Sequence, residues 1–253
     1  MNKKNLIILV ITIILIFIFA FLLLGNYIDI KRKSATEKFI NDASIINTNS
    51  AFSIDRIDLY SSAYATNVSA SNNLWSLTLY QYTDISLSIS NIKEQNITGL
   101  YIDNFSCDKL ETGVPNFYLK NLFYIGKFEL KDENLITDKI DYEIISPNSE
   151  LDYSKPQIYS DLSNPITLEY INCISPDFVI NNNKELTYDG SLLKSANISL
   201  SSISPRISFK LHVIDTSNEE HIYTISFKLP LYDVNSSIYN GSFRNTIENS
   251  VRF

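Results

Sequence analysis

The sequence is poor in the residues on which most catalytic and ligand-binding motifs depend. Its 253 residues include six glycines, two histidines, two cysteines and one tryptophan. The glycines lie at positions 25, 99, 113, 126, 190 and 241. The G-x-G-x-x-G, Walker A and G-x-S-x-G motifs all need glycines within a few residues of one another. This spacing therefore excludes the classes of protein that those motifs define.

The histidines and cysteines do not form a recognisable site. His212 and His221 lack the i, i+4 spacing of a helical zinc motif; we expect His212 to face solvent on a strand and His221 to lie at a loop end near Asp215. Cys107 and Cys173 form no C-x-x-C motif, and no histidine precedes them as in sortase-like cysteine transpeptidases. We expect buried or free thiols, with a disulfide as the alternative.

Carboxylates are abundant but follow no binding-loop pattern. The densest group is Asp132, Glu133, Asp138, Asp141 and Glu143, and no D-x-[DN]-x-[DN]-G calcium loop occurs. A solvated turn explains this group more simply than a glycosidase pair would. The sequence therefore predicts no catalytic residue, no metal site and no cofactor.

One long apolar run extends from Leu6 to Leu24 and is interrupted only by Thr12. In a helix, 19 residues rise about 28 Å, close to the roughly 30 Å hydrocarbon core of a bilayer. A cleaved signal peptide would have a shorter apolar region ending at a small-x-small site, which is absent here. We predict an uncleaved signal anchor with basic flanks over residues 1–33, embedded in the lipid bilayer through residues 6–24.

Charge excludes one class of partner but does not fix the orientation. Lys3 and Lys4 precede the apolar run, and three basic residues follow it at 31–33. Residues 34–253 hold 16 Lys and Arg against 27 Asp and Glu, a net charge of −11. Such a surface repels nucleic acid and anionic lipid. We expect no nucleic-acid partner, and we favour a cell-membrane protein whose large part is extracytoplasmic.

The residues after the apolar run have helical periodicity. Ala35, Phe39, Ile40, Ala43 and Ile46 recur at steps of three and four, with polar residues between them. This pattern predicts a juxtamembrane helix over residues 34–49 that prolongs the membrane helix.

Beyond residue 50 the hydrophobic period changes to two. Runs rich in Ile, Tyr, Phe, Leu and Thr alternate with clusters of turn-forming residues, which is typical of strands. The candidate strands are Ile54 to Tyr60, Leu74 to Ile89 with room for a turn at Thr83 and Asp84, Gly99 to Phe105, Phe117 to Leu130, Ile140 to Ile145, Ile166 to Ile171, Asn197 to Ser202, Ile207 to Asp215 and His221 to Leu231. Long apolar helices between the runs are absent, so the strands should pair mostly antiparallel.

The clearest local pattern is a hairpin near the C-terminus, with a loop over Thr216 to Glu220. Pairing Asp215 with His221 would place Phe209 opposite Phe227. That register puts all the apolar residues of both strands on one face: Ile207, Phe209, Leu211, Val213, Tyr223, Ile225, Phe227 and Leu229. On this basis we expect substitution of Phe209 or Phe227 to destabilise the protein and substitution of His212 to leave stability nearly unchanged.

The strand density suggests a mainly β fold of one or two antiparallel β-sandwich modules. Two modules would be a β-rich domain over 50–146 and an immunoglobulin-like β-sandwich over 155–232, with a linker at 147–154 and a polar tail at 233–253. One larger sandwich is the alternative. The likeness to immunoglobulin domains is architectural, because Trp75 precedes both cysteines instead of lying between them.

These patterns favour a non-enzymatic, single-pass membrane protein that binds, scaffolds or assembles with a protein partner of unknown identity in the cell envelope. One alternative is an envelope enzyme that acts on polysaccharide through carboxylates. The other is a pilin-like assembly subunit, although residues 1–12 lack the glycine and glutamate of the pilin start.

Overall fold

The computed structural model describes residues 3–42, 44–47, 51–71, 74–92, 95–181, 196–229 and 251–252. Strands predominate among the described residues, which confirms that the protein is mainly β. The chain divides into two compact units, Met1–Lys38 and Phe39–Phe253. The predicted turn at 188–190 and most of the predicted tail lie outside the described residues.

The described residues of the first unit all lie in one helix, α1, which spans Lys3–Asp42. Within it Asn5–Tyr27 is long and apolar enough to cross a membrane, and none of this stretch is buried within the protein. The helix continues beyond the apolar run, as expected. It ends at Asp42, however, and Ser44–Asn47 form strand β1, so the prediction of helix to residue 49 is wrong there. The reason is tertiary, because the backbone of β1 pairs with β11 and Ile45 packs against the core.

The described part of the second unit contains twelve strands. Their bounds are β1 Ser44–Asn47, β2 Phe52–Ser71, β3 Leu74–Asn91, β4 Ile97–Cys107, β5 Val114–Leu119, β6 Leu135–Ile136, β7 Ile140–Ile145, β8 Gln157–Tyr159, β9 Ile166–Asn181, β10 Arg206–Asp215, β11 Glu220–Lys228 and β12 Val251–Arg252. Short 3-10 helices occur at Leu122–Tyr124, Asp132–Asn134 and Leu200–Ile203.

The strands form two six-stranded sheets. Sheet A has the order β1-β11-β10-β4-β7-β8, and sheet B has the order β12-β2-β3-β9-β5-β6. All the described pairs are antiparallel except β7 with β8, which is parallel. One large apolar cluster draws side chains from both sheets, including Ile57 and Leu87 of sheet B and Leu211 and Phe227 of sheet A. This arrangement fits a β-sandwich.

The two halves of the β unit share both sheets. In sheet A, β10 pairs with β4, and in sheet B, β9 pairs with β3 over most of its length. Strands from the predicted domains 50–146 and 155–232 are therefore neighbours, which is the arrangement of the single larger sandwich. Residues 147–154 form a mostly exposed loop between β7 and β8, and the shared sheets favour the single larger sandwich over two separate modules.

The C-terminal hairpin has the predicted face but a different register. Its eight predicted apolar residues are all buried, yet Phe227 lies opposite Ile207, and Ile225 lies opposite Phe209. The shift is two residues, which preserves the face because side chains alternate with a period of two. The turn explains the shift: Asp215 N donates to Glu219 O, which leaves a three-residue loop ending at Asn218 with φ +62°.

Several other strand predictions need correction. The chain leaves sheet B at Leu119, and Asn121 caps a 3-10 helix by accepting from Phe123 N at 2.8 Å, so no strand continues to Leu130. The predicted strand at 197–202 is replaced by the 3-10 helix that Ser199 caps. The strand β3 runs without a turn through Thr83 and Asp84, because both have partners on β2 and on β9.

Candidate functional site

Three titratable side chains meet on the face of sheet B that points away from sheet A, and all three are buried there. Asp84 on β3 and Glu169 on β9 are direct cross-strand partners, and Lys120 directly follows β5, which pairs with β9. Lys120 Nζ lies 3.2 Å from Asp84 Oδ1 and 3.0 Å from Glu169 Oε1. The three side chains are at most 3% exposed. We call Asp84, Lys120 and Glu169 the ion cluster.

Asp84 and Glu169 face the same ammonium from neighbouring strands. Two ionised acids beside one buried cation would leave a net negative charge in the interior, which favours the binding of one proton by the pair. Burial is the main cause that raises the pKa of Glu169 to about 8, and burial also raises the pKa of Asp84. The Lys120 ammonium acts in the opposite direction on both groups. With one proton held, the cluster of two acids and one base is neutral.

Residues 121–131, which we call the lid loop, are fastened to this cluster. Gly126 N donates to Asp84 Oδ2 at 2.5 Å, and Lys120 Nζ donates to Lys127 O at 2.6 Å. Tyr82 OH donates to Gly126 O at 3.1 Å. Gly126 has φ +77°, and a Cβ atom there would lie 3.2 Å from the ring of Tyr60, so glycine suits this close approach.

The lid loop covers a surface of aromatic side chains beside the ion cluster. We call this surface the tyrosine face; by strand register and contact it comprises Tyr60, Tyr64, Tyr80, Tyr82 and Tyr118. Phe128 of the lid loop packs over it, with ring centroids 4.8 Å from Tyr64, 5.0 Å from Tyr80 and 5.6 Å from Tyr82. The lid loop is thus held at two places, by the ion cluster and by the tyrosine face.

Sequence reasoning missed the ion cluster because its members are far apart in the chain. Some signal was present: Asp84 is the one charged residue of β3, and Glu169 is the one charged residue of the predicted strand Ile166 to Ile171. A charged residue in the middle of such a strand marks either a solvated face or a buried pair, and only the pairing of β3 with β9 distinguishes the two.

A second cluster lies on the outer face of sheet A around His212. His212 Nδ1 is 3.0 Å from Glu220 Oε1, and His212 Nε2 is 3.0 Å from Asp103 Oδ1. The imidazole stacks on Tyr101 with 4.1 Å between ring centroids, and Lys139 Nζ lies over the Tyr101 ring, 4.0 Å from its centroid. The expectation that His212 faces solvent is wrong, because this stack leaves it only 7% exposed.

Hydrogen bonding tunes the acid and the phenol of this second cluster. Tyr101 OH donates to Glu220 Oε1 at 2.6 Å. This bond is the main cause that raises the pKa of Tyr101 to about 12 and lowers the pKa of Glu220. The cluster is closed on itself, because every one of these polar groups is engaged with another.

The third cluster joins Asp215, Glu219 and His221 at the hairpin turn. Each residue offers one oxygen or nitrogen that could ligate a metal, and these three atoms lie within 4.8 Å of one another. Asp215 Oδ2 lies 3.2 Å from His221 Nε2, and Asp215 Oδ1 accepts from Ser217 N and Glu219 N. The bond with His221 is the main cause that lowers the pKa of Asp215. Metal-binding histidines usually hydrogen-bond through their second nitrogen, whereas His221 Nδ1 is buried without a hydrogen-bond partner among the described residues. The cluster therefore fits a cap of the turn, and His221 lies near Asp215 as predicted.

The residues that the sequence singled out are otherwise spread over the surface. The carboxylates of Asp132, Glu133, Asp138, Asp141 and Glu143 are all exposed, and no three of these described side chains converge on one point. Asp141 pairs with Lys139 at 2.7 Å. Cys107 and Cys173 are free and half-buried, and burial raises the pKa of both thiols, which opposes reactivity.

No family model matches this chain, and it has no match among curated proteins or solved structures. The fold and its clusters therefore carry the functional argument alone. They define a mainly β protein with one N-terminal helix that is long and apolar enough to span a membrane.

Proposed function

We propose that this chain is a single-pass protein of the cell membrane that presents a β-sandwich of immunoglobulin-like architecture outside the cytoplasm. Its role is to bind, scaffold or assemble with a protein partner in the cell envelope, without catalysis. The observation that carries the proposal is the exposed apolar stretch Asn5–Tyr27 joined in one chain to a well-packed β unit. A helix of this length and composition is stable in a bilayer and costly in water.

An exposed aromatic patch supports the binding role. Phe123 is 69% exposed in the lid loop, and its ring centroid lies 3.9 Å from that of Tyr153. Tyr124 and Ile125 beside it are also exposed. Neighbouring exposed apolar side chains on a soluble surface are typical of contact sites for other macromolecules.

The carboxylate geometry argues against the polysaccharide-acting alternative. Glycosidases separate their two carboxyl groups by about 5 Å or more, to leave room for the sugar or a water. Asp84 and Glu169 both contact Lys120 and are at most 3% exposed beneath the lid loop, so substrate could not pass between them. The acids around Asp132 are exposed but do not converge.

Photo-cross-linking in intact membranes tests the proposal. A benzophenone amino acid replaces Phe123 in the full-length chain, and the control places it at Glu133, an exposed position just beyond the lid loop. We expect a discrete adduct with one envelope protein from position 123 and much less from position 133. Equal, diffuse adducts from both positions would count against a specific binding surface.

A glycan-hydrolysis assay separates the enzymatic alternative. The purified full-length chain in detergent is incubated with cell-wall polysaccharide, beside Asp132→Asn and Asp141→Asn variants. We expect no turnover by any of them. Turnover by the unaltered chain that either variant abolishes would establish the enzyme instead.

A further inference from the structure

The lid loop is attached to sheet B mainly through groups that belong to the ion cluster or touch it. Two of its backbone contacts, Gly126 N to Asp84 and Lys127 O to Lys120, depend on where the charges of the cluster lie. Lys120 itself is fixed at the end of β5, since its carbonyl accepts from Thr167 Oγ1 at 2.6 Å. A change in the charge of the cluster therefore acts on the lid loop without requiring sheet B to move.

The charge balance of the cluster depends on a single proton. Lys120 provides one positive charge, and Asp84 and Glu169 provide two acids at the same depth. When the acids share a proton, the cluster is neutral and Lys120 contacts both acids. When that proton is lost, a net negative charge remains in a site that is at most 3% exposed, which is strongly unfavourable.

The surrounding elements supply no second cation to this site among the described contacts. Each neighbouring element contributes groups that are neutral or acidic: Tyr60 and Tyr64 from β2, Tyr80 and Tyr82 from β3, Tyr118 from β5, Cys173 from β9, and Asp132 after the lid loop. Burial raises the pKa of Tyr80, Tyr118 and Cys173. These two phenols and this thiol therefore stay neutral while the carboxyl pair titrates.

We propose that the lid loop is a pH-controlled cover of the tyrosine face: it is closed when Asp84 and Glu169 share a proton, and it opens when the ion cluster loses that proton. Opening hydrates the carboxylates and releases Gly126 from Asp84 and Phe128 from the tyrosines. The exposed tyrosine face is then a large aromatic surface. This device is independent of which partner the protein binds.

Linkage fixes the direction and the size of the effect. The closed state holds a proton to about pH 8 through Glu169, whereas a hydrated glutamate loses it near its ordinary pKa. Loss of one proton on opening makes the opening equilibrium rise by at most about tenfold per pH unit in that interval. Between pH 5.5 and 8 we therefore expect opening to increase by roughly 100-fold.

Amide hydrogen exchange of the full-length chain in detergent tests the proposal. Exchange is recorded from pH 5.5 to 8 and divided by the intrinsic rate at each pH, which removes base catalysis. The reporters are the amides of residues 122–128, above all Gly126. The amides of β10 and β11 serve as the internal control for global unfolding. We expect lid protection to fall roughly 100-fold toward pH 8 and to stay well below hairpin protection at every pH, because the lid amides exchange by local opening and the hairpin amides only by global unfolding.

Amide variants identify the proton as that of the ion cluster. Glu169→Gln and Asp84→Asn each remove one titrating acid and keep its shape, and the matched control is Glu133→Gln at an exposed acid. We expect Glu133→Gln to behave like the unaltered chain and the two cluster variants to vary less than about threefold over the pH range. If either cluster variant keeps the full pH dependence, the proposal is wrong. If both variants fail to fold, the ¹³C carboxyl shifts of Asp84 and Glu169 are followed against pH in the unaltered chain. The proposal is overturned if these shifts do not change over the same pH interval as lid protection, or if lid protection is constant.

Discussion

Glu169 lies directly opposite Asp84 across strands β9 and β3, and the ammonium of Lys120 lies within 3.2 Å of both carboxyl groups. Taking three ionisable groups out of water is costly, and their mutual attraction offsets that cost only while the set is complete. Substitution or protonation of one member of the ion cluster should therefore change the free energy of unfolding of this protein strongly.

Removal of the base should be severely destabilising. Lys120→Met keeps much of the side-chain volume but leaves two buried acids without a cation, and we expect a loss of about 3–5 kcal/mol in the free energy of unfolding. Lys155→Met is the control, because Lys155 pairs with Asp152 at the surface and should cost at most about 1 kcal/mol. Urea unfolding of the full-length chain in detergent, followed by Trp75 fluorescence, measures both. Equal losses would mean that the cluster contributes no more than a surface pair.

The stability of the whole β unit should fall as the pH rises from about 5 to about 8. Burial raises the pKa of Glu169 to about 8 and also raises that of Asp84, so the folded protein binds more protons than the unfolded chain in this interval. Stability then decreases with increasing pH, because the unfolded state binds fewer protons. Unfolding midpoints across this range give the slope. Glu169→Gln should flatten the slope, and a slope that rises toward pH 8 would contradict the assignment.

Core truncation in the hairpin tests the face on which sheet A packs. Phe209 and Phe227 are at most 1% exposed, and their rings meet edge to face with centroids 6.5 Å apart. Phe209→Ala or Phe227→Ala should cost about 3–5 kcal/mol. Lys228→Ala, on an exposed neighbouring residue of β11, should change stability by no more than about 0.5 kcal/mol. Silent phenylalanine substitutions would reverse the assignment of core and surface.

His212 should contribute more to stability than its position in the sequence suggests. Its ring stacks on Tyr101, and its two nitrogens contact Glu220 and Asp103. We expect His212→Ala to destabilise by about 1–3 kcal/mol, because the stack and both polar contacts are lost. Thr224→Ala, on a half-buried residue of the neighbouring strand β11, is the control. A loss below about 0.5 kcal/mol, which the sequence pattern alone predicts, would mean that the polar network is energetically neutral.

Protease accessibility tests the proposed orientation. If residues 34–253 are extracytoplasmic, trypsin added to intact cells should digest the β unit, whereas a cytoplasmic marker protein should survive. Alkaline carbonate should leave the full-length chain in the membrane pellet, because the apolar helix requires lipid. Digestion only after lysis would place the β unit in the cytoplasm.

Local sequence patterns predicted the elements in which the order of apolar and polar residues alone decides the structure. The continuous apolar run predicted the first part of α1, and the alternation in residues 207–213 predicted the buried face of β10. Where the chain changes direction, the alternation of apolar and polar residues did not predict the local structure. Asn121 and Ser199 cap 3-10 helices inside runs whose composition is typical of strands. A single capping bond decides these segments, and a weak β preference cannot compete with it.

The sequence by itself determined the apolar helix, the mainly β composition and which face of the hairpin is buried, because all three depend on the order of apolar and polar residues along the chain. The tertiary structure decided the two-residue shift of the hairpin register, the mixing of both halves in one pair of sheets, and the meeting of Asp84, Lys120 and Glu169. These depend on which strands become neighbours. A period of two fixes the face of a strand, but it carries no information about the partner of that strand.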